Sequence, residues 1–421
     1  MSRLLSINSY HYRRGGADAV YFDHAALMET EGWENAFFSM HYPDNKPSSW
    51  SRYFVDEIQI GHNYSMAQKF VKATKVIYSF EAKRKLRQLL QDYNPDIAHI
   101  HNIYHHLSPS ILSVLRHSAV PVVMTAHDLK IACPNNKMLT TDGVCERCKV
   151  GRYYQTVLNR CVHRSVVASA IIAAESYLHR WLRSYQDNVN SIIVPSRFFI
   201  EKFVEWGWPK QLFTYVPNFV DASGYEPNFR AGRYLVYFGR LSVEKGVDTL
   251  IRAAAASGVP VRIVGTGPLE EDLKDLAKNL GAPVEFMGYR TGIELQKLVS
   301  ESRSTVLPSE WYENAPISVL ESLALGKPAI GAEIGGIPEM IRQDETGWLF
   351  KSGDVNALAG MLDTVSCMPD AEIEKFGKRA RALVEREFSP TRYTNAITDV
   401  YRSLGVQMPD RKSTVTASGI L

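Results

Sequence analysis

The sequence lacks three features that would have pointed to particular classes of protein. Its net charge is only +3 over 421 residues, which is too small to indicate a nucleic-acid partner. No stretch reaches the ~18 unbroken apolar residues of a membrane span, and no internal repeat of fixed period is present. Near the N-terminus, His11, Arg13 and Arg14 soon interrupt a short apolar run, so we expect neither a signal peptide nor a span there. These absences lead us to expect a cytoplasmic globular protein.

Short apolar, β-branched runs alternate with helical patterns along the chain. Unalternated runs separated by helices such as TLIRAAAASG are typical of parallel sheets covered on both faces. The runs predict strands at 3–9, 95–102, 120–128, 191–196, 233–241, 260–267, 283–289, 304–310 and 327–336. Since a chain of this length suits two domains of ordinary size, we expect an α/β protein with two doubly wound, Rossmann-like domains.

A segment bearing Pro, Asn and Gly separates the two strand series and predicts the linker between the domains. The last predicted helix could pack back on the N-terminal domain, and the residues after it read as a loose tail. The predicted order is an N-terminal domain at 1–215 with a cysteine-containing insertion at about 130–165, a linker at 216–232, a C-terminal domain at 233–385, the last helix at 386–410 and the tail at 411–421.

In each predicted domain, one motif follows the first strand, at the sheet edge where open parallel sheets bind ligands. Gly15 and Gly16 precede a predicted helix, so their backbone could approach a ligand closely while the helix N-terminus faces an anion. Arg240 and Lys245, in GRLSVEKG, could grip a diphosphate with a planar fork and a point charge. A tight loop and solvated surface charges are the competing interpretations.

The stretch SEWYENAPISVLESLALG predicts a helix over 316–325, with Pro316 at its first position and Gly326 after its end. Its apolar residues share one face, which leaves Glu321 on the opposite flank with Ser318 and Ser322. Glu313 lies in the loop ahead of the helix. Taken alone, Glu321 could be a solvated helix residue and Glu313 a loop acid that the helix dipole favours.

The motifs GRLSVEKG, VGTGP, ENAPISVLE and GGIPE occur in this order, each at a predicted strand end. Together with the GG loop, PDIAHIHN and TAHD, this ordered set resembles glycosyltransferase family 4. The resemblance covers nearly the whole chain and is strongest over 234–350. It implies the GT-B fold, in which two Rossmann-like domains bind a nucleotide-sugar in the cleft between them. Glu313 and Glu321 match the family's E-x7-E pattern.

The resemblance also implies roles for these residues. Glu321 would accept hydrogen bonds from the ribose hydroxyls, and Glu313 would accept one from the donor sugar. Arg240 and Lys245 would stabilise the nucleoside diphosphate as it leaves. The rest of the donor site would comprise Gly15, Gly16, the turn at Asn314, Ala315 and Pro316, and the amides of Ile317 and Ser318.

Family comparison further implies transfer with retention of anomeric configuration. It places His127, in TAHD, near the reaction centre, although a satisfied histidine at a strand end is the alternative. Asp128 would only orient its neighbours. His101 and Asn102 could line the acceptor side, but several histidines nearby make a chance placement almost as good an explanation. The chain has no Asp-x-Asp, the metal-diphosphate clamp of the other main glycosyltransferase fold, so we expect metal-independent transfer.

The predicted function is transfer of a sugar from a nucleoside diphosphate to a glycan or lipid-linked glycan, in surface polysaccharide assembly. No cofactor is expected for the chemistry, and no nucleic acid is expected as a partner. A nucleotide-sugar epimerase of the same fold is one alternative, although its carboxylate pattern is not evident. A non-catalytic nucleotide-sugar sensor or scaffold is the alternative from another class.

Four cysteines, Cys133, Cys145, Cys148 and Cys161, fall in the predicted insertion. Their central C-x2-C could form a structural zinc site, with free thiols or a redox pair as the alternatives. A second regional feature is the segment 66–90, where basic and apolar residues alternate. It could be an amphipathic helix on the inner face of an anionic membrane, or a solvated helix packed on its own domain.

Overall fold

The computed structural model describes residues 2–57 and 74–409. Two six-stranded parallel sheets organise these residues, with strand orders β2-β1-β3-β4-β7-β8 and β11-β10-β9-β12-β13-β14. In each sheet the order reverses beside the first strand, as in doubly wound folds. The prediction of two parallel, doubly wound sheets is therefore confirmed.

The strands of the first half are β1 Arg3–Ile7, β2 Glu34–Phe38, β3 Ile97–Ile100, β4 Val122–Thr125, β7 Ser191–Val194 and β8 Phe213–Tyr215, with a small hairpin of β5 Leu139–Thr140 and β6 Gly143–Val144. Those of the second half are β9 Leu235–Phe238, β10 Val261–Val264, β11 Val284–Gly288, β12 Ser304–Leu307, β13 Ala329–Ala332 and β14 Gly347–Phe350. All nine predicted strands are present. The prediction missed the hairpin and three edge strands, β2, β8 and β14.

The helices of the first half are α1 Gly16–Thr30, α2 Phe80–Tyr93, α3 Leu112–His117, α4 Tyr154–Leu158, α5 Val166–Trp181 and α6 Arg197–Glu205. Those of the second half are α7 Val247–Ser257, α8 Glu270–Leu280, α9 Gly292–Ser300, α10 Ile317–Ala324, α11 Val355–Cys367, α12 Asp370–Glu387 and α13 Pro390–Ser403. Several begin at a residue whose side-chain oxygen accepts a backbone N–H, as Ser165 does for α5 and Ser196 for α6.

The last helix, α13, packs against the first sheet although it follows the second sheet in the sequence. Ile397 and Tyr401 lie in one buried cluster with Leu4, Ile97 and Val123, which belong to β1, β3 and β4. The segment between β8 and β9 contains only a 3-10 turn at Ala222–Gly224. No described helix is both long and apolar enough to cross a membrane.

In the described part of the segment 66–90, the leucines of α2 point into the protein, whereas Phe80 at its start is 78% exposed. Leu86 and Leu89 of α2 are fully buried in the core of the first half. Lys75 and Lys85 both pair with Glu81, at 3.0 and 3.2 Å. Within residues 80–90, α2 therefore packs on its own domain, and the membrane interpretation of the segment stays a prediction. Residues 66–73, like the predicted tail at 411–421, lie outside the described residues.

Candidate functional site

The predicted motifs meet at the carboxyl ends of the two sheets. The loop after β9 carries Lys245, and the loop after β12 carries Glu313. Lys245 Nζ lies 2.6 Å from Glu313 Oε1, which also accepts a hydrogen bond from Ser309 at 2.8 Å. The Glu313 side chain is buried, while Lys245 keeps about a fifth of its side-chain surface exposed. Two groups 68 residues apart therefore form one charged pair at the mouth of the second sheet.

Glycines bring the loops of this pair into close contact. Gly246, at φ +62°, caps α7, and a Cβ added there would lie 2.1 Å from the Pro308 carbonyl oxygen. In the GGIPE motif, a Cβ on Gly336 would lie 1.9 Å from the Asn314 carbonyl oxygen, and the Gly336 amide donates to the Glu313 carbonyl at 2.8 Å. These contacts leave no room for a side chain, which explains why two of the motifs require glycine.

Asn314, next to Glu313, joins the two halves of the molecule. Its Nδ2 donates to the carbonyl of Ala126 at 2.9 Å, and its Oδ1 accepts from Ser196 Oγ at 2.8 Å. The next residue, Ala315, accepts a hydrogen bond on its carbonyl from Asn218 at 2.9 Å. The Asn314 side chain is thus bonded to protein groups on both sides. It ties the Glu313 loop to Ala126, the residue that precedes His127 in the sequence.

Helix α10 starts one residue later than predicted. Pro316 has φ −65° and ψ 119°, so it is the residue before the first turn and not the first helical residue. The first two amides of the helix belong to Ile317 and Ser318, and such amides have no partner within their own helix. Free backbone amides at the start of a helix can donate hydrogen bonds to an anion.

Glu321 is not fully solvated, and it forms no ion pair with any residue in the described part of the chain. It is half-buried on α10, and Tyr225 donates a hydrogen bond to its Oε1 at 3.3 Å. Burial raises the pKa of this carboxyl from 4.5 to about 7. Ser322, predicted on the same exposed flank, is fully buried and bonds Thr305 at 2.7 Å. The prediction for Ser322 was wrong because β12 and the residues after α10 cover that side of the helix.

Arg240 differs from Lys245 in having no anionic partner. Its side chain is exposed, and among the described residues none forms an ion pair with it. Its backbone carbonyl is held by the Tyr237 hydroxyl at 2.8 Å. Arg240 is therefore a free cation after β9, on the same sheet edge as the Lys245–Glu313 pair.

The first half contributes open space at the predicted GG loop. Gly15 precedes α1 with extended backbone, and a Cβ added at Gly15 or Gly16 would meet no atom within 4 Å. The protein itself therefore does not require glycine at either position, in contrast to Gly246 and Gly336. Since protein packing does not explain the two glycines, they are consistent with a loop that leaves room for a ligand.

His127, after β4, is partly exposed and hydrogen-bonded to a second histidine. Its Nε2 lies 2.8 Å from Nδ1 of His101, and the two rings stack with their centroids 5.1 Å apart. Burial lowers the pKa of His127 to about 4, and it also lowers that of His101. Both imidazoles are therefore neutral at pH 7. His101 is fully buried, so it supports His127 and does not line the acceptor side as predicted.

The histidine contacts continue into the core, a feature that the sequence analysis missed. His99 stacks on His101 at 4.8 Å, and its two ring nitrogens bond Tyr401 at 2.7 Å and Thr125 at 2.8 Å. His24 lies between Tyr393 and Tyr401, at 3.1 and 3.2 Å. The two tyrosines belong to α13, so the last helix touches the row of imidazoles that ends at His127. The available signal was the alternation of histidines along β3.

The other two polar residues predicted near His127, Asp128 and Asn102, are each held by hydrogen bonds to neighbouring protein groups. Asp128 accepts from the amide of Lys130 at 2.9 Å and from Asn136 Nδ2 at 3.1 Å, in keeping with an orienting residue. Asn102 donates its amide to Asn8 Oδ1 at 3.0 Å, and its carbonyl accepts from the Ser9 hydroxyl at 2.8 Å. Its own side-chain oxygen has no hydrogen-bond partner among residues 2–57 and 74–409.

The predicted insertion reaches across the cleft, which no motif had indicated. Lys137 Nζ lies 3.0 Å from Oε1 of Glu244, the residue before Lys245. Glu146 Oε1 accepts from the hydroxyl of Tyr312, the residue before Glu313, at 2.8 Å. The insertion therefore contacts both neighbours of the charged pair.

The cysteines of the insertion are free thiols. Cys133 and Cys148 are buried, and Cys148 Sγ lies 3.4 Å from the Thr156 hydroxyl. Burial raises the pKa of Cys133 to about 12 and that of Cys161 to about 11, with neighbouring cysteines adding to both shifts. Within 2–57 and 74–409, no three His, Cys, Asp or Glu side chains are arranged to hold a metal ion. The zinc site therefore stays a prediction.

Two family models match adjoining parts of the chain. The model described as Glycosyltransferase Family 4 matches residues 14–223, and the one described as Glycosyl transferases group 1 matches residues 226–383. Together they cover most of the chain and meet between β8 and β9.

Individual relatives are glycosyltransferases and related synthases. An amylovoran biosynthesis glycosyltransferase of Erwinia amylovora is 27% identical over 217 residues, 48% of this chain and 53% of that protein. The N-acetyl-alpha-D-glucosaminyl L-malate synthase of Bacillus anthracis is 23% identical over 92% of this chain and 93% of that protein. In several other relatives the matched segment is shorter, for example 35% of a sulfoquinovosyl transferase of Arabidopsis thaliana. The chain thus spans about half or less of the length of several relatives.

A solved structure has the same fold over nearly the whole chain. The Anabaena protein HepE, crystallised with UDP and glucose, superposes with a TM-score of 0.66 over 96% of this chain and all of that one, at 17% identity. At this identity the likeness shows the fold alone. The predicted GT-B fold is confirmed.

Proposed function

We propose that this chain, which belongs to glycosyltransferase family 4, moves a sugar from a nucleoside diphosphate to a glycan or lipid-linked glycan during surface polysaccharide assembly. The observation that carries the proposal is the Lys245–Glu313 pair, whose loop Asn314 bonds to the carbonyl of Ala126, the residue before the neutral His127. One side of the cleft supplies fixed charges for a diphosphate, and the other supplies uncharged hydrogen-bonding groups. Such an arrangement suits a donor that loses an anionic leaving group next to a neutral acceptor hydroxyl.

The roles of the donor-side residues follow from their positions. Lys245 and Arg240 would neutralise the charge that develops on the leaving diphosphate, and the amides of Ile317 and Ser318 would add to this effect. Glu321, in the middle of α10, would accept hydrogen bonds from the ribose hydroxyls. Glu313, fixed by Lys245 and Ser309, would accept a hydrogen bond from a hydroxyl of the donor sugar.

We propose that the sugar is transferred with retention, by attack on the face that the nucleotide leaves. His127 would hydrogen-bond the sugar as a neutral imidazole, with His101 fixing its tautomer through the 2.8 Å contact. The roles of Arg240 and Lys245 make metal-independent transfer part of the same proposal. The zinc site at the four cysteines is a separate structural proposal. If elemental analysis of protein purified without chelator finds no zinc, the zinc proposal is wrong.

The proposal is tested in two steps. A thermal-shift screen across nucleotides and nucleotide-sugars identifies the donor, because a bound ligand raises the melting temperature in proportion to its occupancy. Release of the free nucleotide is then measured with and without candidate acceptors. We expect acceptor-dependent release. Binding without any release would favour the sensor alternative, and interconversion of the sugar without an acceptor would favour the epimerase.

A further inference from the structure

Helix α5 exposes an apolar stripe that the functional site does not use. Val167, Ala170, Ala174, Tyr177 and Trp181 recur at intervals of three and four residues, so they lie on one face of the helix, and all five are exposed. Val167 is 69% exposed and Trp181 is 78% exposed. The opposite face of α5 is buried and includes Ile172, Ala173 and His179. An apolar face that nothing in the described chain covers indicates an interaction surface.

The short helix α4 extends the stripe into a patch. The Tyr154 amide donates to the Tyr177 hydroxyl at 3.0 Å, so the two helices meet at this pair. One turn after Tyr154, Leu158 is 70% exposed. We call the exposed apolar side chains of these two helices the α4–α5 surface: Tyr154, Leu158, Val166, Val167, Ala170, Ala174, Tyr177 and Trp181.

The charges around this surface have one sign. Five exposed arginines surround it, namely Arg152, Arg160, Arg164, Arg180 and Arg183. Across 150–183 the only carboxylate is Glu175, which is buried and paired with Lys130 at 2.9 Å. The nearest exposed carboxylate in sequence is Asp187, which pairs with Arg183 at 2.9 Å. The surface is therefore apolar and cationic, and residues 150–183 contain no exposed carboxylate that would repel an anion.

We propose that the α4–α5 surface docks on an anionic lipid bilayer. Tryptophan and tyrosine rings would enter the boundary between headgroups and acyl chains, while the arginines would contact lipid phosphates. A second copy of the chain is a poorer occupant, because a symmetric contact would bring the same arginines together. The surface lies on the side of the cleft that carries His127, since Lys130, three residues after His127, pairs with Glu175 of α5. Docking here would hold that side of the cleft at the membrane.

The test measures vesicle binding and does not depend on transfer activity. The full chain is sedimented with phosphatidylcholine vesicles that contain about 30% phosphatidylglycerol, at low and high salt, and with vesicles of phosphatidylcholine alone. We expect binding to the anionic vesicles that weakens with salt. The double variant Val167→Ser/Trp181→Ser should weaken it about tenfold, and Arg164→Gln/Arg180→Gln should weaken it by a similar factor.

The matched control is Ile293→Ser, which removes an apolar side chain that is 81% exposed on α9 of the second half. All variants change exposed positions, and their melting temperatures report whether they fold. Equal loss of binding in the control and in the α5 variants would overturn the proposal, as would the absence of binding to anionic vesicles. A dimer in solution that Val167→Ser/Trp181→Ser breaks, without vesicle binding, would assign the surface to a second copy. Capture of a soluble acidic protein without vesicle binding would assign it to such a partner.

Discussion

The two sheets present chemically different edges to the same cleft. The second sheet carries ionic groups, namely Arg240 and the Lys245–Glu313 pair, whereas the first carries the neutral imidazole of His127 backed by His101. The difference comes from solvation. Lys245 and Arg240 keep contact with water, while burial lowers the pKa of both histidines. A common architecture can thus supply charge on one side of a ligand and uncharged hydrogen bonds on the other.

Removing charge from the second sheet should have the largest effect. We expect Lys245→Ala to lower the rate of the chemical step ~100- to 1000-fold, because a well-placed donor to a developing anion is lost. Single-turnover nucleotide release, normalised to folded protein, measures this. Lys278→Ala, an exposed lysine on α8, is the matched control. A variant that keeps normal activity per folded molecule but melts early would show that the lysine serves only to neutralise Glu313.

The pH dependence of nucleotide binding should distinguish the contribution of Glu321 from those of Lys245 and Arg240. Its pKa of about 7 means that the free protein must lose a proton before the carboxylate could take the proposed role of accepting hydrogen bonds from the ribose hydroxyls. We expect affinity for the nucleotide to rise about tenfold between pH 6 and pH 8. Glu321→Gln should bind more weakly at pH 8 and lose this dependence. Calorimetric titration at both pH values measures it, and an unchanged slope in the variant would overturn the ribose assignment.

The same carboxyl should affect stability in the absence of nucleotide. Its folded pKa of about 7 lies above the ordinary value of 4.5, so it favours folding below about pH 4.5, and this contribution is lost as pH rises through about 7. Melting temperatures of the wild type and Glu321→Gln should therefore diverge over this interval.

On the neutral side, His127→Asn should have a smaller effect. We expect kcat/KM to fall about tenfold, because one uncharged hydrogen bond is lost and Nδ1 of His101 is left without its partner. Since the pKa of His127 is about 4, the wild-type rate should show no step near pH 6.5 that depends on this residue. A pH-rate profile of both proteins tests this. A step near pH 6.5 that disappears in the variant would mean that His127 acts as a charged group.

The contacts across the cleft should contribute least. Lys137→Ala removes an ion pair in which Glu244 is buried but Lys137 keeps 40% of its side-chain surface exposed, so water and salt reach the lysine end and weaken the pair. We expect a loss of about two- to threefold in kcat/KM at low salt that vanishes near 0.5 M salt. Lys149→Ala, whose partner Glu205 lies in the same half, is the control and should leave kcat/KM unchanged. An equal effect of both substitutions would mean that the insertion does not position the pair.

The comparison also explains what the sequence could predict. Strands buried on both faces, such as β4 and β12, are continuous apolar runs and were found. The edge strands β2 and β8 escaped because their apolar runs are short: β2 opens with Glu34 and Asn35, and β8 has only three residues. For the candidate site, the ordered motifs of the second half predicted Arg240, Lys245, Glu313 and Glu321, and the structure pairs Lys245 with Glu313.

What escaped prediction depended on contacts between distant residues. Lys137 meets Glu244 and Glu146 meets Tyr312 only after both halves have folded, and no motif indicated either contact. The burial of His101 behind His127 likewise required the register of β3 against β4, in which His99 lies opposite Val123. Single-sequence patterns report local periodicity, so they cannot supply such pairings.

The position of α13 has a consequence for biosynthesis. The apolar surface formed by Leu4, Ile97 and Val123 is covered by residues 390–403, which the ribosome adds after the entire second half. Until then, the first sheet emerges with one region bare and with His99 lacking its tyrosine partner. The nascent chain must therefore protect this region while some two hundred further residues are made, a demand that favours chaperone assistance and makes C-terminal truncation costly to the other end of the protein.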